Sequence, residues 1–570
     1  NIGYSFSGID RYFREDLAEN VKDELNIPVA SMIQVKGIAS AQGGALKVNN
    51  IDVQGIDDNF LDMVPENQLE EIPGRNEAFI SRNLADRLEL KIDDSFLLRV
   101  DKVSLIPKNA PFISDDENQV SLRLTVSKIL DKEKLGRFNL KTSQTAPFNV
   151  FLSLEYLNNR METEGKANRL LISDETSSND DQLLSVISEN WRPEDSGLKI
   201  RLAENEMEWN IESDRVFIDS VIVNAIYEFE EQPALFLTYL ANSIEKHDRA
   251  TPYSFVSGGP FFKEKKADPN EIIINTWLAE DLDAGEGDSV LMKYYSIGPL
   301  RQLVENEKWF IVQSIVPMSD QFADRELMPT LPGLSDAGSC RDWEAGIPID
   351  LEKIRDKDED YWDEWKGTPK AFLPYSAGKN LWENRFGACT LIRLNTADYN
   401  EREISENILK YHGPADLGFQ LRNLKKIGLE AASGGVDFSE LFFGMSFFLL
   451  IASLTLLALL FNIHLENRMS QYGTLKALGY SNRLVQKLIL AETALVVFFG
   501  VLLGSLLAIW YNRLIFKALN SVWSAIVRTS VLAEDIRYGT ILLGIVISFL
   551  LVFITVFFNI RKKLKAETVH

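Results

Sequence analysis

Few residues in this sequence stand in an arrangement that does chemistry. Its four histidines, His247, His412, His464 and His570, are scattered, and none lies at metal-ligand spacing from another. The patterns His-Glu-x-x-His, Gly-x-Ser-x-Gly and Cys-x-x-Cys are all missing, so metal-assisted hydrolysis, serine acyl transfer and dithiol exchange lack their usual carriers. The nearest approach to a phosphate-cradling loop is "SAGKN" at 376–380. It puts Asn380 where a metal-binding hydroxyl belongs and Leu373 where the first glycine should stand. The acidic run "DKDEDYWDEW" at 356–365 reads as a solvated face rather than a calcium or acid–base site. Cys340 and Cys389 read as unrelated thiols, with a bridge as the alternative in an oxidising compartment. No catalytic residue, metal ligand or cofactor site is therefore assigned to this chain.

The elements around these residues divide in two. Residues 441–465 and 538–560 contain no Asp, Glu, Lys or Arg, and 488–512 contain only Glu492. Each run exceeds the roughly 18–20 residues that cross a bilayer core as a helix. From Phe438 onwards there are 12 Lys and Arg against 6 Asp and Glu, a balance of +6. With −23 over the 570 residues, the preceding portion carries −29, a charge that repels nucleic acid. Arg468, Lys476, Arg483 and Lys487 lie between the first two runs, and Arg561, Lys562, Lys563 and Lys565 follow the third. The positive-inside tendency puts 466–487 and the tail in the cytoplasm and the acidic portion outside. An acidic domain of that size needs an upstream signal or span to reach the outside, so the chain is expected to continue before "NIGYSFSGID".

The acidic portion repeats itself. "NEAFISRNLADRLELKIDDSFLLRV" at 76–100 returns as "NEIIINTWLAEDLDAGEGDSVLMKY" at 270–294, and "PEDSGLKIR" at 193–201 returns as "PADLGFQLR" at 414–422. Two matches in the same order imply a duplicated unit, with an insertion in the second copy; chance likeness is the alternative. Each copy predicts a strand ("EAFIS", "EIIIN"), a short helix ("RNLADRL", "TWLAEDL") and a second strand ("DDSFLLRV", "GDSVLMKY"). Further strands are expected in "VSLRLTVSKIL", "FNVFLSLE", "KWFIVQSIV" and "CTLIRL".

Between the first two apolar runs, "ENRMSQYGTLKALGYSNRLVQKLILAE" has Gly473 and Gly479 flanking "TLKAL". It predicts a short helix on the membrane surface, with a mixed face suited to a partner's groove. This stretch resembles the cytoplasmic loop of FtsX-like/MacB-type permeases of ABC transporters. Glu466, Gly473, Leu475, Lys476, Ala477, Leu478 and Gly479 carry the match, whereas Gln471 and Tyr472 stand where the family often has an acid. The stretches "AASGGVDFSELFFGMSFFLLIASLTLLALLF" and "TPKAFLPYSAGKNLWENRFGACTLIR" extend the resemblance.

The resemblance implies an α+β extracytoplasmic region of duplicated MacB-like periplasmic units, then an all-α bundle of three transmembrane helices in the bacterial inner membrane. The expected domains are 1–218, 219–437 and 438–570, with a coupling loop at 466–487. The implied partners are a cytosolic ABC ATPase that binds ATP and Mg, a second permease copy or homologous half, the bilayer, and an exported substrate. Export or lipoprotein release is the implied function, and signalling to a cell-wall hydrolase is the alternative. Gly500 and Gly504, with Ser505 beside them, stand at helix-packing spacing, although glycine is common in spans. Glu492 reads either as a partner of the loop or as an interfacial anchor.

Overall fold

A computed structural model describes residues 2–65, 68–101, 119–131, 134–143, 145–175, 178–262, 268–298, 302–331, 333–335, 337–343, 348–433, 438–520 and 538–566. Asn1–Lys141 with Ala146–Ile427 form one compact unit, and Gly428–His570 with Thr142–Thr145 form another.

The first unit holds two strand series. The first runs β1 (Ile2–Ser7), β2 (Val29–Ala41), β3 (Leu46–Ile56), β4 (Glu77–Ser81), β5 (Ser95–Asp101), β6 (Gln119–Leu130), β7 (Asn149–Ser153), β8 (Arg169–Ser173) and β9 (Leu198–Leu202). The second runs β10 (Glu208–Ser213), β11 (Ala234–Lys246), β12 (Arg249–Gly259), β13 (Glu271–Asn275), β14 (Ser289–Ile297), β15 (Leu303–Val316), β16 (Ala371–Pro374), β17 (Leu391–Asn395) and β18 (Gln420–Asn423). Among the described residues these make two nine-stranded sheets, ordered β18-β1-β8-β2-β3-β7-β4-β6-β5 and β9-β10-β17-β11-β12-β16-β13-β15-β14. Each strand corresponds to the one nine places later, with parallel and antiparallel pairings in the same places. In each sheet the last strand turns back onto the long second strand of its repeat, as β5 on β2 and β14 on β11. Six of the nine strands therefore close into a barrel.

The repeated segments occupy equivalent places. "EAFIS" is β4, followed by α3 (Arg82–Leu88), and "EIIIN" is β13, followed by α7 (Thr276–Leu282). Both helices stop at a left-handed residue, Glu89 at φ 54° and Asp283 at φ 51°. "FNVFLSLE" is strand only as far as Ser153, because the Ser153 hydroxyl accepts the Tyr156 amide N–H and opens α4 (Leu154–Met161). The longer second copy is accounted for at one connection: residues 317–370 join β15 to β16, where 131–148 join β6 to β7. That connection contains α8 (Asp356–Trp365), so the acidic run is only partly solvated. Its Asp358, Tyr361 and Trp362 are buried.

The last strand of each repeat leaves its own sheet. β9 pairs with β10 of the second repeat, and β18 pairs with β1 of the first. The second series thus begins at Glu208, inside the expected first domain, because β10 takes β9 as its partner. The two barrels have separate interiors, around Ile80, Leu98 and Val150 in one and Ile274, Phe310 and Leu373 in the other. A third core lies between the open ends of the sheets and draws on both repeats, with Phe6, Phe13, Trp191, Ile211, Ile392 and Phe419. Phe419, reached just before β18, stacks on Phe6 at 5.3 Å and meets Trp191 edge-on at 4.9 Å.

The second unit contains α12 (Phe438–Ala477), α13 (Asn482–Asn520) and α14 (Tyr538–Ala566). Ser446–Ala477, Asn482–Ala518 and Tyr538–Lys562 are long and apolar enough to cross a membrane. The surface helix expected between the first two spans is not a separate element. α12 runs unbroken past Gly473, since one glycine inside a helix costs only about 1 kcal/mol and does not stop it. Only residues 478–481 connect it to α13.

Candidate coupling site

Leu475 begins the turn that ends α12. The Tyr480 N–H donates to the Leu475 carbonyl at 3.2 Å and the Gly479 N–H to the Lys476 carbonyl at 2.9 Å. Together they form the paired bonds of a Schellman cap. Gly479 takes φ +91°, which side-chain-bearing residues rarely adopt. Ser481 then opens α13, its hydroxyl and carbonyl both accepting the Leu484 N–H.

Under this turn the three helices meet in a small core of Leu465, Tyr472, Val485, Ile489, Val556 and Ile560. Arg468 on α12 forms an ion pair with Glu492 on α13, so Glu492 has a partner on the neighbouring helix, one of the two readings open in the sequence. Of the residues singled out in the sequence, Leu475 and Lys476 are half-buried, while Glu466, Gly473, Ala477, Leu478 and Gly479 are exposed. Leu478 is 72% exposed, with Tyr480 and Leu484 exposed beside it. The turn thus presents apolar side chains next to Lys476, Arg483 and Lys487.

Further along the helices, Gly504 and Ser505 line a cavity of about 580 Å³ between α13 and α14, with Ala508, Gly544 and Ser548. A Cβ added at Gly500 or Gly504 would meet nothing within 4 Å, so neither glycine serves a close contact among the described residues. The Ser505 hydroxyl donates to the Val501 carbonyl of its own helix at 2.8 Å.

Residues weighed for chemistry have structural partners. "SAGKN" lies inside α9 (Tyr375–Trp382), where Gly378 passes Gly258 so closely that an added Cβ would sit 3.2 Å from the Gly258 Cα. Cys340 and Cys389 are both free and buried, and burial pushes each thiol up to about 12. His412 sits at the joint between repeats. Its Nε2 lies 3.2 Å from the Ser196 hydroxyl, which also accepts the Trp191 indole N–H at 3.0 Å, and its Nδ1 lies 2.7 Å from the Ile408 carbonyl. Burial lowers its pKa. Among the described residues no group of three or more His, Cys, Asp and Glu could hold a metal ion.

One signal passed unread in the sequence: "DRYF" at 10–13 returns as "DRVF" at 214–217. These arginines cross between repeats. Arg11 forms a double hydrogen bond to Asp219 at 2.9 and 3.1 Å, and Arg215 donates to the Asp10 carbonyl at 2.8 Å.

The family model described as FtsX-like permease C-terminal matches residues 443–568. This part of the chain is similar to the C-terminal domain of FtsX-like permeases. It spans all three apolar helices and the capped turn between the first two. The mixed α/β region is similar to the extracellular domain of the noncanonic ABC-type transporter YknZ from Gram-positive bacteria. Identity is 13%, the match covers 33% of this chain and 88% of that one, and the TM-score is 0.22. The periplasmic region of MacB from Actinobacillus actinomycetemcomitans matches at 12% identity, covering 33% and 83%, with a TM-score of 0.21. A domain of a putative permease protein from Porphyromonas gingivalis matches at 12% identity, covering 33% and 78%, with a TM-score of 0.19. No curated protein matches the chain.

Proposed function

We propose that this chain is the permease subunit of an ABC transporter in the bacterial inner membrane, working with a separate cytosolic ATPase and a second permease copy or homologous half. The 478–481 turn docks on the ATPase, which holds the ATP and Mg. The two-barrel unit lies outside the membrane and changes conformation as the ATPase turns over, driving export or release of a lipid or lipoprotein. The observation that carries this reading is the coincidence of the FtsX-like match with a helix end built to be stiff. α12 and α13 are tied by Arg468–Glu492 and a shared core, so a push on the turn reaches both spans instead of being absorbed in a loose loop.

Co-purification from detergent with a cognate cytosolic ABC ATPase tests the reading. Leu478→Asp puts a charge on the exposed tip and is expected to abolish co-purification and substrate-stimulated ATP hydrolysis, with insertion and the fold of the outer unit unchanged. Retention of both activities by a normally inserted variant would refute it.

A further inference from the structure

α11 (Leu424–Ser433) is the helix between the last strand of the α/β unit and the first span, and it is oddly made for a water-facing linker. The Asn423 side chain accepts the Lys426 N–H at 2.9 Å and starts the helix. Lys425 and Lys426 then stand in its first turn, where the helix dipole disfavours cations, so they are not placed there for the stability of the helix itself. Lys425 has one loose ion pair, 3.8 Å from Asp174, between side chains 70% and 35% exposed, which contributes little. Leu429 shares a face with both lysines at helical spacing and is 66% exposed. Ile427 is exposed too. A leucine flanked by lysines has a use in water-facing proteins at a membrane surface, where the apolar side chain enters and the ammonium groups stay at headgroup level.

We propose that α11 docks on anionic phospholipid headgroups of the membrane that α12 crosses, with Leu429 among the upper acyl carbons and Lys425 and Lys426 on the phosphates. Two observations favour a lipid surface over a protein groove. Helix α12 begins at Phe438 and its membrane-crossing stretch at Ser446, so the chain keeps α11 close to the bilayer. The lysines, with neighbouring Arg422, form a basic patch on a portion whose net charge is −29, which a lipid phosphate layer complements. The inference rests on α12 spanning the membrane.

The full chain in phosphatidylcholine vesicles, with or without phosphatidylglycerol, provides the test. Cys340 and Cys389 are buried, so a Leu429→Cys variant takes an environment-sensitive fluorophore at one place. The expected result is a blue-shifted emission quenched by nitroxide-bearing lipid and shielded from iodide, more so with phosphatidylglycerol. Lys425→Glu and Lys426→Glu should each cut the docked fraction, relative to undocked, by about fivefold or more. Iodide quenching equal to that of a label at exposed Met207 overturns the proposal, as does indifference to phosphatidylglycerol. Inorganic phosphate reproducing the gain in phosphatidylcholine vesicles also overturns it, in favour of a soluble anion. A Leu456→Cys label separates the failures. If it too lies outside lipid, the span itself is misplaced; if it lies in lipid while Leu429 does not, only the docking fails.

Discussion

Gly473 and Gly479 look alike in the sequence, each a glycine beside "TLKAL", but the structure gives them different work. Gly479 holds φ +91° at the end of α12, so Gly479→Ala strains the cap by about 1 kcal/mol and loosens the turn from within. Gly473 is mid-helix, and a Cβ there meets nothing within 4 Å. Gly473→Ala should therefore raise helix stability by up to about 1 kcal/mol. Any loss of ATPase co-purification in Gly473→Ala then reports close approach by the partner, whereas full retention shows that this glycine is not at the contact. Lys370 gives a prediction of another kind. Its ammonium sits 4.0 Å from the Trp277 ring centre and 4.6 Å from that of Tyr361, near Asp358, and burial pushes its pKa down to about 8. Above about pH 8 the folded lysine gives up its proton while the unfolded chain keeps one until about 10.4, so this group adds stability as pH rises through that window. Tyr361 and Cys340 are pushed the other way by burial and oppose it. The difference in denaturation midpoint between wild type and Lys370→Met, followed from pH 7 to 10, isolates the effect. It is expected to move in favour of wild type, and a flat difference would show that the lysine titrates normally.

At the scale of elements, what the sequence discloses is local. The units β4–α3–β5 and β13–α7–β14 were readable because alternating apolar residues, a short 3.6-period stretch and a turn follow one another within 25 residues, twice. The exchange of β9 and β18 was not. Alternation in "LKIRL" or "QLRN" tells which side chains face a core, and nothing in it names the neighbouring strand: β9 takes β10, the next strand along, while β18 takes β1 at the far end of the unit, and packing makes the choice. At the turn after α12 the sequence leaves the geometry open: "TLKALG" suits a separate helix as well as the end of a long one, and the choice is made by the Leu475–Tyr480 cap. The exchange has a test in Phe419. It is 2% exposed among Phe6, Phe13 and Trp191, so Phe419→Ala should cost about 3–5 kcal/mol. Because β18 lies only on β1, hydrogen exchange should show the lost protection concentrated in residues 2–7 and 420–423, with the second barrel at 271–316 unaffected. Uniform loss across both barrels would mean that the strand is not a local fastening.

For the two-barrel unit as a whole, the exchange makes two halves of one chain behave as a dimer joined by a link at 203–207. Each half contains a closed barrel with its own interior, yet the core at the open end is shared. A first half alone would leave Phe6, Phe13 and Trp191 without Phe419, and β1 without an outer neighbour. An unpaired strand edge of that kind, beside an uncovered aromatic core, invites another chain. Residues 1–202 expressed alone should therefore aggregate or pair with themselves, β9 of one copy occupying the place of β18 on the other, since the two strands are equivalent in the repeat. Expressed together, 1–202 and 203–427 should co-purify as a one-to-one complex that melts in a single transition, held by both exchanged strands and by the Arg11–Asp219 pair. The measurement is size-exclusion chromatography with light scattering, followed by thermal unfolding. A soluble, cooperatively folding monomer of 1–202 would show that the repeats are independent domains and that the crossing strands merely decorate them. If the complex forms as expected, a displacement of β18, the strand that leads through α11 towards the first span, reaches the first repeat directly and the second only through the shared core.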